Sequence, residues 1–129
     1  MKTLIPAALL TLVGCTTASL PAPPEDGLTR AAIGQTVAVG GPKVTPLAIL
    51  EDSRCPAGVQ CVWAGRVRIS ARIDLGSGSE TRELTQVIPV PVADGMLELV
   101  EVQPAKAAPR ARPLTSTDYR FAFRFMGGL

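Results

Sequence analysis

From position 31 onward the chain reads as β, with apolar and polar residues alternating at a period of two in several segments. The pattern is clearest over 64–75. Val67, Ile69, Ala71, Ile73 and Leu75 fall on one side, and Arg66, Arg68, Ser70, Arg72 and Asp74 on the other. Successive side chains of a strand point to opposite faces, so this segment predicts one buried and one wet face. The last apolar segment repeats the pattern, with Tyr119, Phe121, Phe123 and Phe125 alternating with Arg120, Ala122 and Arg124. Its aromatic row is expected in the core. Segments 35–39, 44–51, 80–88 and 96–103 read as further strands. Between them lie turn formers: Gly40-Gly41-Pro42, the hairpin loop Gly76-Ser77-Gly78-Ser79, and a break at Pro89, Pro91 and Asp94-Gly95. Pro46 cannot donate to a ladder, so it predicts a bulge or an edge position. Three prolines in 104–113 argue for a surface loop rather than a helix. The predicted fold class is all-β: a small antiparallel β-sandwich or open barrel of about six or seven strands.

The first residues follow a different rule. One Lys at position 2 precedes the apolar run Leu4 to Val13, and the segment ends in Leu12-Val13-Gly14-Cys15. The run is shorter than the roughly 20 residues of a membrane helix and contains Pro6. A charged start, a short apolar core and small residues before the end fit a removed signal segment. A conventional secretory signal places small residues at −3 and −1 of its cut, and Leu12 suits the −3 position poorly. The segment resembles the lipobox of bacterial lipoproteins. That resemblance implies that the Cys15 thiol takes a diacylglyceryl group, that the chain is cut before it, and that the new amine is acylated. Cys15 would then be the first residue and the membrane anchor. One acyl chain holds a protein only marginally, whereas the two or three of a lipoprotein hold it stably. The implied location is the cell envelope. Thr16 follows the cysteine, where enteric bacteria use Asp for inner-membrane retention, so the outer membrane facing the periplasm is expected in a two-membrane organism. Segment 15–28 then reads as the lipidated cysteine and a Pro-rich tether, semi-extended by Pro21, Pro23 and Pro24 and able to reach up to about 40 Å. The expected division is 1–14 signal, 15–28 tether and 29–129 a single β domain.

Cysteine usage agrees with export. The chain has three Cys, at 15, 55 and 61, and lipidation of Cys15 leaves a pair. In an oxidising compartment that pair is expected as a disulfide closing Cys55-Pro56-Ala57-Gly58-Val59-Gln60-Cys61, where Pro56 and Gly58 favour a tight return. The rival reading, a metal site, lacks ligands: the chain has no His.

Around this pair runs Glu51-Asp52-Ser53-Arg54-Cys55-Pro56, and then Cys61-Val62-Trp63-Ala64-Gly65. The segment is similar to a motif of small exported bacterial proteins of unassigned function, many of them lipoproteins. The resemblance implies a disulfide and a β fold, and carries no activity. Read from the residues, Asp52 and Ser53 suit hydrogen bonds to loop backbone, and Arg54 suits a pair with Asp52, Glu51 or a loop carbonyl. Trp63 offers a flat face to cover the disulfide, and Gly65 a bend where the long strand begins. A second reading stands beside this structural one: an exposed recognition loop with Arg54 and Trp63 as its hot spots.

Composition narrows the function. Without His there is no Ser-His-Asp or Cys-His pair. The loop Gly76-Ser77-Gly78-Ser79 joins strands and lacks the helix N-terminus that binds phosphate. Loss of Lys2 with the signal leaves 12 basic against 11 acidic residues, a balance that offers nothing to nucleic acid. No catalytic residue, cofactor or metal is expected. The expectation is a monomeric, non-catalytic, membrane-anchored β module of the envelope, whose partner is an envelope protein, peptidoglycan or a small ligand. The alternative is an envelope enzyme or enzyme inhibitor acting through the Cys55–Cys61 loop.

Overall fold

Strict alternation becomes a strand where its apolar side meets a second sheet. β4 (Val67–Asp74) buries Val67, Ile69, Ala71 and Ile73 completely and turns Arg72 to solvent, with the two faces as the pattern predicts. The computed structural model describes residues 10, 12–17, 26–56, 58–106 and 113–127. The rest of the signal and tether, including Pro21, Pro23 and Pro24, lies outside the described residues. So does most of the Pro-rich loop after 106.

Besides β4, the described strands are β1 (Thr29–Ala31), β2 (Val37–Ala38), β3 (Lys43–Asp52), β5 (Ser79–Thr85), β6 (Val90–Val92), β7 (Gly95–Gln103) and β8 (Arg120–Gly127). They make two antiparallel four-stranded sheets, in the orders β2-β3-β4-β5 and β1-β8-β7-β6. The fold is therefore a β-sandwich and not an open barrel. Its strand count exceeds the expected six or seven because two short strands, β1 and β6, have no readable period. β6 includes Pro91, which the sequence reading treats as a chain break; at a sheet edge Pro needs no ladder donor. The segment expected as a strand over 35–39 shrinks to the two residues of β2. The bulge expected beside Pro46 is present, with a register shift between Pro46 and Ala48 and another between Ile49 and Glu51. Leu47 and Leu50 fall at these shifts and are exposed.

The core lies between the sheets. Val44, Val67, Ile69, Ile73 and Leu84 from one sheet meet Leu97, Leu99, Phe121 and Phe123 from the other. Phe125 packs at its margin, so the aromatic row is core as expected. Leu28 and Ala31 are also buried, and β1 pairs with β8 through Thr29↔Phe123 and Ala31↔Phe121. The chain changes sheets through a tight turn at 85–88, where Val87 N–H donates to the Leu99 carbonyl at 2.9 Å. Arg82 of β5 also reaches the Pro91 carbonyl of β6.

The connections gather at the two ends of the sandwich. One end holds the β2–β3, β4–β5 and β6–β7 turns. The other holds the long loop from β3 to β4, the link from β7 to β8, and Tyr119.

Candidate functional site

β3 and β4 cannot pair beyond Asp52 and Val67, because Gly65 turns the chain with a left-handed φ of 72°. A Cβ at that position would sit 1.8 Å from the Ser53 carbonyl oxygen, so glycine is required there. This delays the strand expected from Ala64 until Val67. A neck forms instead. Ser53 N–H donates to the Arg66 carbonyl at 2.9 Å, and Arg66 N–H donates to Ser53 Oγ at 2.9 Å. Cys55 N–H reaches the Ala64 carbonyl at 3.4 Å. Beyond the neck, Cys55 and Cys61 are joined by a disulfide with their Cα atoms 5.9 Å apart. Inside the ring, Val59 N–H turns back to the Pro56 carbonyl at 3.3 Å.

The neck stands on a polar node. Arg54 grips both oxygens of Asp52, with Nε to Oδ1 and Nη2 to Oδ2 each at 2.9 Å. A bidentate pair of this kind fixes orientation as well as charge. The remaining Nη1 donates to the Val102 carbonyl of β7 at 3.0 Å. Tyr119, on the approach to β8, donates its hydroxyl to Asp52 Oδ2 at 2.7 Å. Lys106 Nζ reaches the Asp52 carbonyl at 2.9 Å. One carboxylate at the end of β3 thus ties the loop to the opposite sheet. Burial pushes the Asp52 carboxyl upward, but the bonds from Arg54 and Tyr119 outweigh it and hold the pKa at about 2. Burial, and then the bond to Asp52, push the Tyr119 hydroxyl up to about 12.

The residues singled out from sequence divide here. Arg54 does pair with Asp52, and it is turned into the fold. Its side chain is 16% exposed and its guanidinium is engaged on three acceptors within the fold. Trp63 departs from the structural reading: it is 82% exposed and is not a buried cover for the disulfide. The pinned neck and the Gly65 turn carry Val62 and Trp63 outward, and Cys61 is itself exposed. Val62 is 89% and Val59 41% exposed. The result is an apolar tip, Val59-Val62-Trp63, on a braced and covalently closed base.

Tyr119 and Lys106 escape sequence reasoning as members of this node. Tyr119 counts as one more core aromatic by alternation, and its ring does stack on Phe121 with centroids 5.9 Å apart. Its hydroxyl serves the other purpose. At the opposite end a shallow cavity of about 310 Å³ is lined by Gly40, Leu75, Ala93, Asp94 and Phe125. Cys15 is exposed and unbonded, and Leu12 and Val13 beside it are exposed. Among the described residues no group of three or more His, Cys, Asp or Glu is placed to hold a metal ion, and no helix is long and apolar enough to cross a membrane. No family model, curated protein or solved structure matches the chain.

Proposed function

We propose that this chain is a lipid-anchored, non-catalytic lipoprotein of the bacterial cell envelope, and that its β domain presents the Cys55–Cys61 loop as a binding surface. The observation that carries the binding role is the exposed apolar tip, Val59, Val62 and Trp63. Large exposed apolar side chains that cluster mark contact sites. Here they sit on a base whose geometry is fixed by the disulfide, the neck and the Asp52 node, which limits the ordering cost of binding. The anchoring role rests on Leu12-Val13-Gly14-Cys15 and on a cysteine outside the disulfide. The ionic groups beside the loop are largely paired with one another: Arg66 with Glu51, Arg68 with Glu83. That favours a scaffold over a reacting centre.

The test has two arms. Labelled fatty acid should enter the wild-type chain and not Cys15→Ser, which should remain uncleaved at this site. Equal incorporation in both removes the anchor. Photo-crosslinking from position 63 in native membranes should give a defined adduct. Labelling no stronger than from the exposed position 72 on the far strand face removes the binding surface.

A further inference from the structure

The tip is suited to one kind of partner. From Ser53 to Ile73 the sequence contains no Asp or Glu, yet it contains four Arg. At the base of the loop Arg54, Arg66 and Arg68 are paired with Asp52, Glu51 and Glu83, and Lys106 leaves one positive charge in excess under the apolar crown. Trp63 is the only Trp of the chain. Tryptophan above apolar neighbours and basic residues is the arrangement that settles at the boundary between acyl chains and anionic headgroups. A glycan site would surround the indole with several hydrogen-bonding side chains, whereas the residues near this one in sequence are Val59, Val62 and Ala64, with Gln60 the one polar side chain among them.

Reach permits the contact. Resting on the lipoprotein reading, the anchor at Cys15 lies 11 residues before Asp26, a span of at most about 40 Å. β1 runs toward the loop end, so the tether leaves the domain on the other side and has to double back. From Phe123, where Thr29 pairs, to Tyr119 beside the node is four residues, or about 13 Å of strand. The three residues from Asp26 to Thr29 and the neck from Asp52 to Cys55 add about 10 Å each, which brings the path to about 33 Å, still within the span of the tether. The loop and the anchor can therefore engage the same membrane face.

We infer that the disulfide-closed loop is a second membrane contact: Val59, Val62 and Trp63 enter the lipid interface, and Arg66 faces anionic headgroups. The domain then lies against the bilayer with its tip down instead of swinging freely on its tether.

Trp63 emission reads this site alone. The acylated full-length mature chain is reconstituted into vesicles of phosphatidylethanolamine and phosphatidylglycerol, with and without brominated acyl chains. Acylation is verified by mass spectrometry. A blue-shifted emission, with several-fold quenching by the brominated lipid, supports the contact. Val62→Asp should abolish both effects and leave the melting temperature unchanged, since position 62 makes no core contact. An acylated chain whose Trp63 stays solvent-like and fully open to iodide overturns the contact and leaves the lipoprotein reading intact. A chain without acyl groups on Cys15 sinks the lipoprotein reading instead. That unacylated chain is then titrated with the same vesicles, and a blue shift there still supports the loop. Shielding of Trp63 in native membranes but not in pure lipid identifies a protein partner and counts against the proposal.

Discussion

Asp52 concentrates more structural consequence than any other polar residue of the site. It accepts bonds from Arg54 and Tyr119 while its own carbonyl takes Lys106, and its side chain is only 9% exposed. Removing one member of a buried ion pair leaves the other uncompensated, at a cost of about 3 kcal/mol. Asp52→Asn should lose about that much in denaturant unfolding, and an unchanged midpoint would show that the node contributes nothing. The same bonds set a pH window. The folded Asp52 pKa of about 2 lies below the ordinary 3.8. Its contribution, about 2 kcal/mol, is therefore present above pH 3.8 and is lost as pH falls through 2. Tyr119 is raised from 10.0 to about 12, so its contribution is present below pH 10 and is lost as pH rises through 12. Stability followed by thermal melts should fall at both extremes in the wild type and respond less in Asp52→Asn. An equal response in the two chains would place the titration elsewhere. At this scale the sequence is half legible. The Asp-Ser-Arg spacing exposes the local pair, because two residues of separation bring those side chains together. Tyr119 lies 67 residues away, and no local pattern announces a hydroxyl that completes a carboxylate across two sheets. Trp63 fails for a different reason: alternation assigns inside and outside only where a strand exists, and a loop has no period.

Strands with a sustained period are legible, and those without one are not. β4 presents its faces as the alternation predicts, because it is long enough for burial to act on every second residue; β8 does so except at Ala122, which stands on the polar side of the pattern and is buried. Charge reversal at the half-exposed Arg72, whose partner is Asp74 at 3.3 Å, should change stability by no more than about 0.5 kcal/mol. Ile69→Asp should prevent folding, since it places an unpaired carboxylate in the core. If the order were reversed, with Arg72→Glu the more damaging in circular dichroism melts, the faces would be exchanged. β1 and β6 have three residues each, too few for any period to register, and they exist because β8 and β7 need edge partners. The crossover between the sheets carries strain. Val87 holds φ at 60°, a left-handed conformation unfavourable for a β-branched residue by about 1–2 kcal/mol. The turn tolerates it because the Val87 N–H bonds to Leu99 and the side chain is exposed, with no packing to lose. Val87→Gly should therefore raise stability by about 1 kcal/mol, and a lower melting point would mean that the exposed side chain holds a contact of its own.

At the scale of the whole molecule, the core and the disulfide lie apart. The core fills the space between the sheets, while Cys55 and Cys61 sit beyond the neck, on the solvent side of the Asp52 node. Burial of apolar residues from both sheets, and not the disulfide, holds the fold together. The disulfide closes a ring with a sequence separation of 6, which restricts the unfolded chain by about 2 kcal/mol. Reduction of the folded chain should accordingly lower the melting temperature by several degrees and leave the far-ultraviolet spectrum unchanged, because no strand depends on the ring. It should release two titratable thiols from residues 55 and 61. The emission maximum of Trp63 in the free chain should be solvent-like before reduction and remain so after it, because the indole stands outside the fold in either state. A red shift on reduction would mean that the indole covers the disulfide after all. Loss of β signal on reduction would mean that the ring, and not the core, organises this end of the sandwich. What reduction should weaken is the fixed geometry of the apolar tip. Under the proposed binding role, the disulfide keeps Val59, Val62 and Trp63 on a fixed base at a surface where neither sheet can reach to hold them.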